Sequence, residues 1–164
     1  MITLQPVTTE NFEDVLDLKA DEALVASNSY SLAEAYCELK EALEDGENYA
    51  KHYYDNPYAI AKDDTIVGFL MMAYEDGEDI KAGSDIYWLS RFMIDEKHQG
   101  KGYGKAAMKV FIDLVKSKPH GYEVKYIYTS VVPTSVVAVK LYESVGFTKT
   151  GAQFGGEDLM KLVL

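Results

Sequence analysis

The 164-residue sequence predicts an α/β fold, a mixed sheet with helices on both faces. Three observations predict it. Stretches with strand texture interleave with stretches of helical periodicity in the order β-α-α-β-β-β-α-β-α-β-β. A glycine-rich loop, Gln99-Gly100-Lys101-Gly102-Tyr103-Gly104-Lys105, joins one of the strands to one of the helices. No repeat, low-complexity tract or Pro/Gly/Ser-rich linker divides the chain, so one domain spanning 1–164 is expected.

Each element has its own signal. Ile2-Thr3-Leu4-Gln5-Pro6-Val7 alternates and reads as a strand stopped near Pro6. Thr8 or Thr9 then reads as the N-cap of a helix carrying Val15, Leu16 and Leu18. A second helix follows Asn28, with Leu32, Ala35, Tyr36, Leu39 and Leu43 on its apolar face. Glu34, Glu38, Glu41 and Asp45 lie on the opposite face, and Gly46 stops it. Two strands, around residues 58–61 and 66–72, flank the turn Asp63-Asp64. An acidic loop from Glu75 to Gly83 leads to the strand 86–94. Beyond the glycine loop, Ala107, Val110, Phe111, Leu114 and Val115 recur at helical spacing until Pro119-His120-Gly121. Residues 124–131 are rich in β-branched and aromatic side chains and read as a strand. After Pro133 a short helix carries Ala138, Leu141, Tyr142 and Val145, with Gly146 as its C-cap. Short strands from Phe147 and from Asp158 close the chain.

Composition narrows the function. Hydrophobic residues make up 48% and charged residues 26%, as in ordinary soluble proteins. No apolar run approaches membrane-spanning length. The start Met1-Ile2-Thr3-Leu4 lacks a signal-peptide pattern, and Cys37 has no second cysteine to pair with, so a reducing cytoplasm is expected. Its place in a helix-like segment predicts a buried, inert thiol. Sixteen basic against 27 acidic residues give a net charge of −11. That field repels nucleic acid and anionic membranes and attracts a cation. His52, His98 and His120 lack metal-ligand spacing, so no metal is expected.

The loop itself suits an anion. Glycine takes positive φ and lets a ligand approach the backbone. A helix beginning near Gly104 adds free N–H groups and the positive end of its dipole, an arrangement that fits a pyrophosphate. Lys105 stands where a dinucleotide fingerprint needs glycine, and the Walker A spacing is absent.

The run Arg91-Phe92-Met93-Ile94-Asp95-Glu96-Lys97-His98-Gln99-Gly100-Lys101-Gly102-Tyr103-Gly104 resembles motif A of the GNAT acetyltransferases. Ala138-Val139-Lys140-Leu141-Tyr142-Glu143-Ser144-Val145-Gly146-Phe147 resembles their motif B. Together they cover roughly residues 86–147. The resemblance implies the acyl-CoA N-acyltransferase fold, a mixed and mostly antiparallel sheet, with acetyl-CoA as co-substrate. It implies that Gln99, Gly100, Lys101, Gly102, Tyr103 and Gly104 hold the pyrophosphate, with Lys101 and Lys105 adding charge. Phe92, Met93 and Ile94 would offer backbone groups to the pantetheine arm and the thioester oxygen. Ser135 stands where the family carries asparagine, an expected coenzyme contact with shorter reach.

Softer signatures run along nearly the whole chain: Ala26-Ser27-Asn28, Ser31-Leu32-Ala33-Glu34-Ala35, Tyr87-Trp88-x-x-Arg91-Phe92-Met93-Ile94-Asp95 and Gly156-Glu157-x-x-Met160. They resemble the bacterial spermine/spermidine (diamine) N-acetyltransferases. That similarity implies a polyamine acceptor attacked in a ternary complex without an enzyme nucleophile, and a homodimer by family analogy.

Tyr142 matches the family tyrosine that protonates the departing thiolate, a role open to a phenol of pKa about 10. Where related enzymes place a glutamate on strand 86–94, this chain has Ser90 and Arg91. Glu75, Asp85 and Glu157 are the remaining candidates for the base. Ammonium groups favour carboxylates and aromatic faces, so Glu34, Glu38, Glu75, Tyr87 and Glu157 are candidate substrate contacts, with Tyr30, Tyr36 and Trp88 as further walls. The Glu34-Glu38-Glu41 stripe also has the spacing of a solvated helix face. Two alternatives stay open: a GNAT enzyme for an aminoglycoside, amino acid or protein amine, and an acyl-CoA-binding sensor without turnover.

Overall fold

The computed structural model of the protein describes residues 1–20, 28–45, 55–119 and 121–164. Seven strands form one sheet: β1 (Ile2–Pro6), β2 (Asn56–Lys62), β3 (Thr65–Glu75), β4 (Ile86–Ile94), β5 (Tyr126–Val131), β6 (Thr148–Phe154) and β7 (Glu157–Val163). Their spatial order is β1-β2-β3-β4-β5-β7-β6. Only β4 and β5 run parallel; every other neighbouring pair is antiparallel. The helices are α1 (Phe12–Leu16), α2 (Asn28–Asp45), α3 (Tyr103–Lys116) and α4 (Val136–Glu143). Element types and order are those predicted from the sequence.

Strand alternation divides the core between two faces. Leu70, Met72, Leu89, Ile127 and Met160 pack with Ala107, Met108, Phe111 and Val115 of α3 and with Tyr142 of α4. On the other face Ala59, Phe69, Met71 and Met93 pack with Val15 of α1 and Ala35 of α2. A third cluster, Ile86, Tyr128 and Leu159, lies near the β4–β5–β7 junction. Burying Phe111 or Met108 contributes about 1.5–3 kcal/mol each, which fixes α3 and hence the loop before it.

Several expectations change. The N-cap of α1 is Asn11, whose Oδ1 accepts from Thr8 N; Thr8 opens the preceding turn instead. Strand β5 begins at Tyr126, two residues after the predicted start. Helix α2 keeps only part of its predicted apolar face inward, with Leu32 packed against the core beside Ala35. Ser31 and Ala35 are buried and Glu34 and Glu38 half-buried, while Tyr36 is 67% and Leu39 40% exposed. Polar partners on the sheet, not apolar periodicity, set this rotation. Cys37 lies on the outward side and is exposed, so the buried thiol expected from its helical context is incorrect. Ala26, Ser27, Gly46, His52 and His120 lie outside the described residues, as do the side chains of Glu41, Leu43 and Asp45.

Candidate active site

A β-bulge shapes the centre of the sheet. Met71 pairs with Arg91 and Met72 with Leu89, so Ser90 is the extra residue on β4. A bulge bends its strand. Beyond it β4 and β5 part: they pair only at Tyr87–Ile127 and Trp88–Tyr128. Thr129 Oγ1 donates to Leu89 O at 2.9 Å, a last tie between them. The opening is a cleft of about 870 Å³, lined on one side by residues 88–94 and on the other by Thr129–Val132. Its mouth is formed by Gln99, Gly100, Gly102–Lys105 and His98. Ser135, Ala138, Leu141 and Tyr142 of α4, with Phe154 and Glu157, complete it.

The loop conformation accounts for two of its glycines. Gly100 has φ 72° and Gly102 φ 79°, in the left-handed region that a Cβ disfavours. No protein atom lies within 4 Å of a Cβ built on either, so their backbones stay open to a ligand. Gly104 is different. It is helical, and a Cβ there would touch Leu141 and Ile94 at ordinary contact distances. Gly102 is the N-cap of α3 and supplies no side-chain cap, which leaves the first-turn amides to an outside acceptor. Gln99 Nε2 donates to Ile94 O at 3.0 Å and pins the loop to the end of β4. Lys105 lines the cleft, whereas Lys101 Nζ lies 2.8 Å from Lys97 O and is turned away from it. Phe92, Met93 and Ile94 lie along the cleft edge, although the Met93 side chain belongs to the core under α2.

Tyr142 is buried deep in the cleft, its ring 5.6 Å from that of Phe147. Burial pushes its phenol up to about 12; the Thr129 hydroxyl opposes the rise and the Glu157 carboxylate adds to it. It therefore stays neutral throughout the physiological range. Glu157 accepts from Ser130 Oγ at 2.5 Å within the same cleft. Ser135 occupies the N-cap position of α4, and its side chain makes no cap bond.

Beside the bulge, on the α2 face, lies an acidic cluster of side chains. Arg91 Nη2 is 3.2 Å from Glu34 Oε2, and Arg91 also donates to Ser31 Oγ and Ser90 O. Glu38 Oε2 accepts from Asp55 N at 2.8 Å. Asp55 Oδ1 in turn accepts from Ser90 Oγ at 2.5 Å. Burial raises the Asp55 carboxyl; the Ser90 bond and Arg91 oppose this, and Glu34 reinforces it. Glu75 rises to about 7, chiefly by burial, then by repulsion from Asp55, Asp79, Asp76 and Glu38. Ser90 belongs to both places, lining the cleft and bonding to the cluster.

The structure thus gathers Glu34, Glu38 and Glu75 around Asp55, and puts Glu157 in the cleft. Tyr87 is not a wall of this site: it is fully buried in the core on the α3 side, edge-on to Tyr74. Tyr30 and Tyr36 face outward, while Trp88 lines the cleft against Phe154. Asp85 accepts from Tyr74 Oη at 2.6 Å, away from the cleft lining. Among the described residues no group of three His, Cys, Asp or Glu is arranged to hold a metal, and no helix is long and apolar enough to cross a membrane. Asp55 was missed in the sequence, where it falls just ahead of the strand at residues 58–61 and carries no motif. Ser90, standing where a glutamate was expected, was the one signal pointing there.

The model of the acetyltransferase (GNAT) family matches residues 14–147. The chain belongs to this family. The GNAT chain is 36% identical over 162 residues to the spermine/spermidine N(1)-acetyltransferase of Bacillus subtilis strain 168, covering 97% of this chain and 96% of that protein. A probable spermine N(1)-acetyltransferase of Bacillus subtilis subsp. natto is 35% identical over the same shares. The GNAT fold is shared with the PaiA N-acetyltransferase of Thermoplasma acidophilum, solved in complex with coenzyme A. That match has a TM-score of 0.64 at 15% identity and covers 100% of this chain and 99% of the other. A chimaeric spermidine N-acetyltransferase, partly from Vibrio cholerae, gives a TM-score of 0.66 at 17% identity, with coverage of 99% and 95%.

Proposed function

We propose that this GNAT enzyme transfers an acetyl group from acetyl-CoA to a primary amine of spermine, spermidine or a related diamine. One observation carries the reading: Ser90, which lines the cleft between β4 and β5, is hydrogen-bonded to the acidic cluster around Asp55. The cleft has the features a pantetheine-linked diphosphate needs, an unpaired strand edge leading to open amides at a helix start. The acidic cluster has the charge that a polycation needs. The identity to the Bacillus subtilis protein supports the same acceptor class.

Acetyl-CoA would supply the acyl group as a thioester. Gly100, Gly102 and the first-turn amides of α3 then face its pyrophosphate, worth about 0.3–1 kcal/mol for the dipole alone. The β4 edge from Phe92 to Ile94 positions the arm, and a β4 amide donates to the carbonyl oxygen as it gains charge. Glu34, Glu38 and Glu75 attract the ammonium groups, and Trp88 offers an apolar wall to the methylenes. Tyr142 gives its phenolic proton to the departing thiolate. Holding both reactants in one cleft replaces covalent catalysis by proximity.

A thiol-release assay with acetyl-CoA and a panel of amines tests this. Turnover with spermine or spermidine, above an aminoglycoside and free amino acids, is expected. No polyamine turnover alongside good turnover of another amine overturns the acceptor, and acetyl-CoA binding without any turnover favours a sensor.

A further inference from the structure

We propose that Ser90 and Asp55 form a two-residue proton relay that neutralises the acceptor ammonium, with Ser90 Oγ at the cleft and Asp55 as the final proton acceptor. The inference rests on the acetyltransferase reading above. Its basis is geometric. Ser90 is the bulge residue, placed at the point where β4 leaves β5, and it lines the cleft. Its hydroxyl donates to Asp55 Oδ1 at 2.5 Å, which leaves an oxygen lone pair to accept from an N–H. Asp55 is 8% exposed and sits one hydrogen bond behind the cleft wall. Its own backbone N–H is bound by Glu38, which fixes the carboxylate against the sheet.

The surroundings suit a base. Burial makes the Asp55 carboxylate more basic than an ordinary aspartate. The charged groups facing it are Glu34 and Glu38 from α2, Glu75 from β3 and Arg91 from β4. At Asp55 the Arg91 guanidinium opposes that rise and the Glu34 carboxylate adds to it.

The protons balance. One ammonium N–H bond breaks as the proton passes to Ser90 Oγ, and the Ser90 hydroxyl proton passes to Asp55. The freed amine forms the C–N bond, the C–S bond breaks, and the thiolate takes the Tyr142 proton. The new amide nitrogen returns its second proton to the Tyr142 oxygen, and Asp55 discharges the first to solvent. Asp55 never touches substrate and acts through Ser90.

Asp55→Asn and Ser90→Ala are the decisive variants, assayed as full-length enzyme with spermidine and with a fluorinated diamine that is largely neutral at the assay pH. Each variant should lose about 100-fold in kcat with spermidine, and much less with the neutral amine. The acetyl-CoA Kd should stay within about twofold, which verifies folding. The loss should shrink as pH rises and spermidine deprotonates unaided. Ser90→Thr, which keeps a hydroxyl, should recover most of the rate. Equal losses with both amines, or no loss with either, overturn the relay while leaving polyamine acetylation intact. Wild-type enzyme without turnover of any amine overturns both.

Discussion

Arg91 Nη2 lies 3.2 Å from Glu34 Oε2 and joins β4 to α2 across the acidic cluster. The pair is partly exposed, 27% and 33% by side chain, so the contact itself contributes little. Its larger effect is to neutralise one of four neighbouring carboxylates and turn the acidic side of α2 toward the sheet.

Arg91→Met should therefore cost more than the loss of one ion pair. Glu34, Glu38, Asp55 and Glu75 would be left without their cation, at about 1–3 kcal/mol. Urea unfolding measures the loss. Spermidine should raise the melting temperature of the variant more than that of the wild type, because the polycation replaces the missing charge.

Tyr142→Phe should lower kcat about 100-fold while the acetyl-CoA Kd changes little. Stopped assays and calorimetric binding separate the two. Equal kcat in variant and wild type removes Tyr142 from proton transfer.

Gly102→Ala and Gly104→Ala should behave oppositely. The first forces a side chain onto φ 79°, at about 1–2 kcal/mol, and should weaken acetyl-CoA binding. The second adds a methyl at ordinary distance from Leu141 and Ile94 inside a helix and should be neutral or slightly stabilising. Thermal melts with and without acetyl-CoA distinguish them.

Glu75 should make stability fall with rising pH. Its folded pKa, about 7, lies above the ordinary glutamate value of 4.5, so the native state holds the proton more tightly. The associated stability is fully present below about 4.5 and is lost as pH climbs through about 7. Glu75→Gln should flatten melting temperature against pH over that window. A polyamine bound at the cluster should release protons near pH 7, seen as a buffer-dependent binding enthalpy.

Periodic patterns carried most of the fold. Strand alternation and the Ala107-Phe111-Val115 spacing gave every element its type, and the glycine loop marked the mouth of the cleft. Boundaries slipped where local chemistry competed, as at Asn11, which took the cap from Thr8 and Thr9. Helix α2 failed for a different reason. Tyr36 and Leu39 share the spacing of Leu32 and Ala35, yet they are exposed, because Glu34 and Glu38 turn toward Arg91 and Asp55, which lie elsewhere in the chain.

By itself the sequence determined the mixed sheet, the glycine-rich strand–loop–helix, and the placement of Tyr142 on the helix that follows β5. These depend on neighbours within a few residues or on a repeating period. Only the tertiary structure decided that Ser90 would be the bulge residue, that its hydroxyl would lie 2.5 Å from Asp55 across 35 positions of sequence, and that Glu34, Glu38 and Glu75 would cluster around Asp55. Those relations arise from strand register and helix rotation, which are settled by long-range packing, and no local pattern encodes them.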